Sequence, residues 1–377
     1  MTTSQRALMP DYLRIFALFG IVVVNVEGLA FPLATGYPPA ADGTFLDALA
    51  MWLVRGLALL KSYGLFSFMF GVGLGFLMQS AHRRTLRFGR LYRNRIFGLL
   101  LLGVLHGVFF FFGDILVTYA VFGAVLYLFR NWEARRLVKL GGALLAVQII
   151  LALPLIYALS GLADDDWTTE VAVLTTGGFW DVVGFRSLTF AVVVPVVLVL
   201  QGIGVLGWFC LGLAAVKSGL IDNAAHPLWR RARVWCVGPG VALSLLGASI
   251  WHFGVPALGE MLIALAAPIA TIGYLGLIAA IARPPGPVTA RLLNAGGSSL
   301  SIYLGQSIIL STIFAPYGLD MWNAVGPAAA IAIAILVTIG LILFLSIWRI
   351  WFRFGPFEWV LRRITYAGTA APPIPKA

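Results

Sequence analysis

The chain has 377 residues, of which 60% are apolar and only 11% charged, and its formal net charge is +11. This composition lies outside the range of soluble globular domains and excludes an ordinary soluble enzyme. The positive charge does not indicate nucleic-acid binding, because the basic residues are expected to line one membrane face, where anionic headgroups attract them.

The basic residues are distributed unevenly along the chain. Of the 26 Lys and Arg residues, all but Arg55, Lys61 and Arg186 fall in alternate connections between apolar stretches or at the termini. Most of the 15 acidic residues show the opposite bias. Because Lys and Arg are retained on the cytoplasmic side of a bilayer, the pattern predicts an all-α, polytopic transmembrane helix bundle with both termini in the cytoplasm.

Ten apolar stretches reach or approach the roughly 20 residues that a membrane-spanning helix needs. The predicted spans are 12–31, 57–79, 96–112, 115–129, 137–159, 188–216, 234–252, 261–282, 299–316 and 326–348. Together they are expected to form one integral membrane domain over residues 1–377. Pro195 should kink the sixth span and Pro268 the eighth.

The connections on the outer side offer little material for a separate domain. Pro38 and Pro39 predict an irregular loop after the first span, and residues 45–56 are expected to form a short helix against the membrane. The longest connection, 160–187, holds an acidic run at 164–166. A site at the outer face must therefore be built from span ends and short loops.

The hairpin formed by the third and fourth spans is too short for two full crossings. Residues 96–129 provide about 51 Å of helix, whereas two crossings of the hydrocarbon core need about 60 Å. Its tip at Gly113 and Asp114 is therefore expected to lie recessed below the outer surface. His106 should lie close to the midplane of the bilayer.

His106 is the ionisable residue that this hairpin places deepest in the membrane, where such groups are costly and usually face a cavity or a partner. It could act as a proton acceptor, a proton relay or a nucleophile, with Asp114 as its orienting or relay carboxylate. The simpler interpretations are a neutral histidine bonded to a neighbour and an aspartate that only breaks two helices. Gly103 and Gly107 are expected to leave room around the imidazole.

Four further polar residues are predicted to bind substrate: Asn25, Glu27, Tyr119 and Gln306. Asn25 and Glu27 end the first span. Two residues apart on a helix, they point about 200° apart, so at most one should face a shared site. Tyr119 follows Asp114 into the return helix, and Gln306 lies near the middle of the ninth span.

The basic connection that ends at Arg95 supports two interpretations. The simpler one is a topology anchor at the lipid headgroups. The other is a docking surface for an anionic cytosolic ligand, such as the phosphates of a nucleotide or coenzyme A, with Arg87, Arg90, Arg93 and Arg95 as the binding residues. No phosphate-binding glycine loop and no metal-ligand spacing occurs in the sequence.

Several sequence blocks resemble the YeiB-type (DUF418) family of polytopic inner-membrane proteins. These blocks are DYLRIFALFGIVVVN, LFSFMFGVG, RNRIFGLLLLGVLHGVFFFFGDILVTYAVFG, SSLSIYLGQS and GPFEWVLRRITY. They include His106, Asp114, Tyr119 and Gln306, while Ile15 stands where a glycine is usual. The resemblance covers nearly the whole chain and implies a multi-pass protein of the bacterial inner membrane.

This family is also similar to a wider superfamily of polytopic membrane acyltransferases, which includes the lysosomal heparan glucosaminide acetyltransferase. The resemblance implies acyl-CoA or acetyl-CoA as the donor and an intramembrane histidine. It also implies a small-molecule or glycan acceptor with a hydroxyl or amine. Membrane lipids are further expected partners, no metal is expected, and homo-oligomerisation is left open.

The expected activity is acyl transfer from a cytosolic acyl-CoA to an acceptor in or across the membrane. His106 would remove the acceptor proton or carry the acyl group, and Asn25 or Gln306 would donate to the developing oxyanion. A proton-coupled small-molecule transporter would use the same residues as a gate and a solute site, although no internal inverted repeat is evident. A structural or sensor membrane subunit is the third alternative.

Overall fold

The computed structural model describes residues 8–33, 43–159 and 168–369. Within these ranges all regular structure is helical, and no β-strand occurs there. The expected loop at Pro38 and the acidic run at 164–166 lie outside the described residues.

The α-helices follow one another in chain order with short connections. They are α1 (Met9–Asn25), α2 (Glu27–Ala30), α3 (Phe45–Leu53), α4 (Lys61–Arg83), α5 (Phe88–Phe109), α6 (Leu116–Leu128), α7 (Ala134–Leu159), α8 (Thr168–Thr176), α9 (Phe179–Leu200), α10 (Gly202–Lys217), α11 (Pro227–His252), α12 (Pro256–Ile281), α13 (Pro287–Gly296), α14 (Ser299–Phe314), α15 (Pro327–Trp351) and α16 (Pro356–Thr365).

Seven of the described helical segments are long and apolar enough to cross a membrane, or eight if the bent pair α13 and α14 forms one span. The multi-pass helical architecture is thereby confirmed. The predicted third and fourth spans do not meet the same criteria. They fall on α5, whose first turns carry Arg90, Arg93 and Arg95, and on α6, which has only 13 residues. This is the hairpin whose length is insufficient for two crossings.

The predicted short helix at 45–56 and the span that follows it form one helical segment, Phe45–Arg83. After α3 the chain makes a π-helical turn and then breaks at Leu60, whose φ of 65° is left-handed. The wholly buried Lys61 side chain donates to the Arg55 carbonyl and to Ser244. In a regular helix the Arg55 carbonyl would accept a hydrogen bond from a backbone N–H. Lys61 supplies a hydrogen bond to this carbonyl instead, which stabilises the break.

The predicted span 188–216 is divided into two helices. α9 contains Pro195, but the helix ends five residues later, at Leu200, and α10 begins at Gly202. At the junction the Gln201 carbonyl accepts a hydrogen bond from the Tyr63 hydroxyl (2.6 Å). A Cβ at Gly202 would lie 2.0 Å from the Phe122 ring, so the junction requires glycine there. Tertiary contacts, rather than the proline, fix the position of this break.

The three basic residues outside the basic connections are all buried and bonded. Arg55 pairs with a carboxylate, Lys61 is held as described above, and Arg186 donates to a carbonyl and a hydroxyl. None of them is an exposed charge at a membrane surface, so they do not oppose the charge asymmetry. We call the end of the bundle with Arg14, Arg95 and Arg362 the basic end, and the opposite end the acidic end.

α4 and α10 approach each other closely through glycine. A Cβ at Gly71 would lie 2.1 Å from the Phe209 carbonyl oxygen, and one at Gly212 would lie 2.0 Å from the Phe68 carbonyl oxygen. The two glycines therefore bring the backbones of the two helices into direct contact, as small residues do in membrane bundles.

Gly71→Ala is expected to destabilise the protein by about 1–3 kcal/mol, because the added methyl group meets backbone that cannot move aside. Gly73→Ala on the same helix is the matched control, since nothing lies within 4 Å of its added Cβ. Thermal unfolding of the purified protein in detergent measures both. Equal melting temperatures for the two variants would contradict the close contact.

Candidate active site

His106 and Asp114 form a hydrogen-bonded pair, which we call the dyad. His106 Nδ1 lies 2.7 Å from Asp114 Oδ2, and Asp114 Oδ1 accepts from the Val117 backbone N–H at the start of α6 (3.0 Å). His106 is 2% exposed and Asp114 3% exposed. The other imidazole nitrogen, Nε2, has no hydrogen-bond partner among the described residues. The dyad therefore carries an unused nitrogen in a buried position.

The glycines of α5 make room for the neighbours of the histidine. A Cβ at Gly103 would lie 2.7 Å from Asp114 Oδ1, so this glycine admits the carboxylate. A Cβ at Gly107 would lie 2.1 Å from the Phe190 ring, so this glycine admits α9. The space expected around the imidazole is thus filled by these two side chains.

Arg186 of α9 holds the end of α5 that carries the dyad. Its Nη1 donates to the Phe109 carbonyl (3.1 Å) and to the Tyr317 hydroxyl (3.0 Å). The last carbonyls of a helix lack intrahelical partners, and a positive charge near them interacts favourably with the helix dipole. Sequence reasoning missed this role, although Arg186 is conspicuous as a basic residue far from the basic connections.

Asp114 lines a cavity of about 280 Å³ at the acidic end, which we call the dyad cavity. This agrees with the expected recessed hairpin tip. Asn25 and Glu27 both line the same cavity, contrary to the expectation that at most one could. Val26 between them keeps right-handed helical φ and ψ of −61° and −28°, so the helical path continues and the cavity extends around the end of α1 to both residues.

A larger cavity of about 620 Å³, the wide cavity, adjoins the dyad cavity. The two share Glu27, Leu59, Leu60, Tyr63 and Gln201. The two cavities therefore adjoin each other at the break between α3 and α4.

The wide cavity contains a charged cluster at its polar side. Arg55 Nη2 lies 3.2 Å from Glu27 Oε1, and the guanidinium stacks 3.7 Å from the centre of the Trp251 ring. Glu260 of α12 lines the same cavity. The cluster therefore holds two carboxylates and one guanidinium, of which Glu27 and Arg55 are paired.

A third cavity, of about 360 Å³, opens among the arginines of the basic end, and we call it the basic-end cavity. Arg14, Arg95 and Arg362 line it, together with Glu358. Partial burial raises the pKa of the Glu358 carboxyl, although hydrogen bonds from Ser301 and Leu300 oppose the shift.

Of the four arginines predicted to bind a cofactor, Arg95 alone lines this cavity. Arg87, Arg90 and Arg93 are exposed at the start of α5 and before it. Arg14 and Arg362 were not selected by sequence reasoning. Both lie in the sequence blocks that resemble the family, and that position was the available signal.

Tyr303 and Ile115 line both the basic-end cavity and the dyad cavity. The Ile115 backbone N–H donates to the Tyr303 hydroxyl (3.3 Å), and the Tyr303 ring centre lies 5.2 Å from that of His106. Cavities from the two ends thus meet at a thin septum beside the dyad. His106 lines neither of the two, so Asp114 is the member of the dyad that contributes to a cavity wall, although its side chain is fully buried.

The remaining two predicted site residues lie apart from the acidic-end cavities. Tyr119 hydrogen-bonds Ser67 (3.0 Å) and lines the basic-end cavity. Gln306 donates to the Leu18 carbonyl (3.3 Å) and the Thr338 hydroxyl (2.8 Å), and it lines none of the three cavities. Gln306 therefore joins α1, α14 and α15. Among the described residues no group of three or more His, Cys, Asp or Glu side chains could hold a metal ion.

The comparisons with known proteins extend over nearly the whole chain. Residues 215–368 match the family described as "Protein of unknown function (DUF418)". The chain is 28% identical to the uncharacterized protein YxaH of Bacillus subtilis, over 97% of this chain and 95% of the relative. It is 27% identical to the uncharacterized protein YeiB of Escherichia coli, over 99% of each. No solved structure matches the chain. The predicted resemblance to the DUF418 family is therefore confirmed over residues 215–368, and the chain is homologous to two bacterial proteins over nearly its full length.

Proposed function

We propose that the protein is an inner-membrane acyltransferase. It would move an acyl group from an acyl-CoA at the basic end to a hydroxyl or amine of an acceptor at the acidic end. The observation that carries this proposal is the meeting of the basic-end cavity and the dyad cavity at Tyr303 and Ile115, beside the dyad. The basic end faces the cytoplasm in this proposal, in line with the charge asymmetry.

The acyl-CoA donor would be bound through its negatively charged phosphates, and its long acyl-bearing arm would reach into the bundle. Arg14, Arg95 and Arg362 line the mouth of the basic-end cavity and supply guanidinium groups suited to phosphates. The acyl-bearing arm would extend past Tyr119 toward Tyr303, which brings the thioester carbonyl to the septum. The Tyr303 hydroxyl is then placed to donate to the oxygen of that carbonyl as negative charge develops.

The acceptor would lose its proton to the dyad. Asp114 lines the dyad cavity, so a small movement of the hairpin tip would let its carboxylate receive the proton and share it with His106 across the 2.7 Å bond. The acceptor oxygen or nitrogen then bonds to the carbonyl carbon, the carbon–sulfur bond breaks, and the departing thiolate takes up the proton. Asn25 remains a candidate to orient the acceptor, whereas the Gln306 amide N–H groups already bind within the bundle.

Coenzyme A binding tests the donor site without any need for an acceptor. Arg95→Ala and Arg362→Ala are each expected to weaken coenzyme A binding by at least 10-fold in titration calorimetry of the purified protein. Arg93→Ala is the matched control, because this residue lies on the same helix and is exposed. An equal loss in all three variants, or no binding by the unaltered protein, would overturn the proposed donor site.

Transport is the second candidate, and the charged cluster of the wide cavity is what favours it. Glu27, Arg55 and Glu260 could hold a small polar solute while the dyad carries a proton. Acyl transfer requires an acyl-CoA as the donor, whereas transport does not. Solute accumulation in proteoliposomes without any acyl-CoA supports transport, whereas release of free coenzyme A thiol that depends on acceptor supports transfer.

A further inference from the structure

A cleft in the side of the bundle adjoins the wide cavity. Its volume is about 440 Å³, and we call it the lateral cleft. It is lined by Gln148, Leu151, Pro154 and Leu155 of α7, Val199 and Leu200 of α9, and Ile203 of α10. Gln148, Leu155 and Leu200 also line the wide cavity. These three side chains therefore form the boundary between the two spaces, at the gap between α7 and α9.

The outer part of the lateral cleft is apolar and open to the bilayer. Leu151 is 54% exposed and Val199 is 71% exposed, and both lie in helices long and apolar enough to span a membrane. Gln148 is the one polar side chain among the cleft residues, and it sits where the cleft enters the wide cavity. Such a surface suits a hydrocarbon chain, because the chain forms no hydrogen bonds and is narrow enough to lie between two helices.

The wide cavity has the opposite character at its inner side. Its charged groups are the carboxylates of Glu27 and Glu260 and the guanidinium of Arg55, which Glu27 already engages. The summed charge of these groups is negative, which opposes a phosphate. Amides of Gln148 and Gln201, with the aromatic faces of Trp208 and Trp251, suit an uncharged group that is rich in hydroxyls.

We propose that the acceptor is a membrane lipid with an uncharged, hydroxyl-bearing headgroup, a glycolipid, that enters sideways between α7 and α9. A hydrocarbon chain lies in the lateral cleft and the headgroup occupies the wide cavity. To reach Asp114, a hydroxyl of the headgroup passes Glu27, Tyr63 and Gln201, which line both the wide cavity and the dyad cavity. This inference rests on the proposed acyl transfer and names its acceptor.

A photoreactive glycolipid tests the proposal by binding alone. The probe is a tritiated diglucosyl diacylglycerol with a diazirine in one acyl chain, in phosphatidylcholine nanodiscs that contain the full chain. We expect saturable labelling, which excess unlabelled glycolipid removes and excess phosphatidylglycerol does not. Equal competition by phosphatidylglycerol would overturn the assigned headgroup.

Two variants that narrow the cleft locate the binding. Leu200→Trp, and Leu155→Phe from the facing helix, are each expected to reduce labelling at least 5-fold. Val192→Trp is the matched control, because this residue of α9 is exposed and lines none of the four cavities. Wild-type labelling of both narrowed variants would overturn the lateral entry.

Coenzyme A binding separates failure of this inference from failure of the proposed function. It should be unchanged in the narrowed variants, which also verifies that they are folded. If coenzyme A binds but the glycolipid does not label the protein, the acceptor assignment is overturned while acyl transfer stands.

Discussion

His106→Ala is expected to lower acyl transfer by about 10²–10⁴-fold, the range that a positioned general acid–base group contributes. Coenzyme A binding at the basic end should be unaffected, because His106 does not line that cavity. Release of coenzyme A thiol in the presence of glycolipid measures the first quantity, and titration calorimetry the second. The variant also leaves Asp114 Oδ2 without its histidine partner in a buried position, which should cost about 1–3 kcal/mol of stability.

His106→Gln separates the chemical role from the structural one. An amide can still donate to the Asp114 carboxylate, so this variant should recover part of the stability that alanine loses. It cannot take up a proton near neutral pH, so activity should stay low. If His106→Gln were as active as the unaltered protein, the histidine would serve only to satisfy the aspartate.

Glu358→Ala is expected to destabilise the protein by about 2–4 kcal/mol. The carboxylate reaches from α16 to the start of α14, where it accepts from the backbone N–H groups of Leu300 (2.6 Å) and Ser301 (3.0 Å) and from the Ser301 hydroxyl. It thus caps α14, the helix that carries Tyr303. Loss of a cap costs about 1 kcal/mol, and lost hydrogen bonds to a charged group about 1.5–3 kcal/mol each before solvent compensates.

Glu358→Gln provides the matched comparison. The amide oxygen keeps an acceptor for the two backbone N–H groups and avoids placing a charge in a partly buried position. This variant should therefore retain most of the melting temperature that Glu358→Ala loses, as measured in detergent. If alanine and glutamine lowered the melting temperature equally, or if neither lowered it, the capping role would be refuted.

The sequence predicted what depends on hydropathy and on residues close in the chain. The multi-pass helical bundle follows from apolar stretches, and the proximity of His106 to Asp114 follows from a hairpin too short to extend fully. These features need no knowledge of which helices become neighbours.

The remaining features depend on tertiary contacts. The break at Gln201 involves a hydroxyl from α4, and the break at Leu60 is stabilised by a buried lysine. The cavity at the end of α1 has both Asn25 and Glu27 in its wall, and its extent depends on the other helices that enclose it. Arg14 and Arg362 come from opposite ends of the chain and share a cavity that only the folded bundle forms. Spacing within a local segment carries no information on such pairs.

The septum at Tyr303 and Ile115 has a consequence for the energy balance of the cell. The basic-end cavity and the dyad cavity both have Tyr303 and Ile115 in their walls, so these two side chains lie between spaces at opposite ends of the bundle. A bacterial membrane that stores energy as a proton gradient loses that energy through any continuous aqueous path. The ring of Tyr303 therefore blocks a path for protons between the two cavities. A small residue in its place is expected to let protons leak across the membrane.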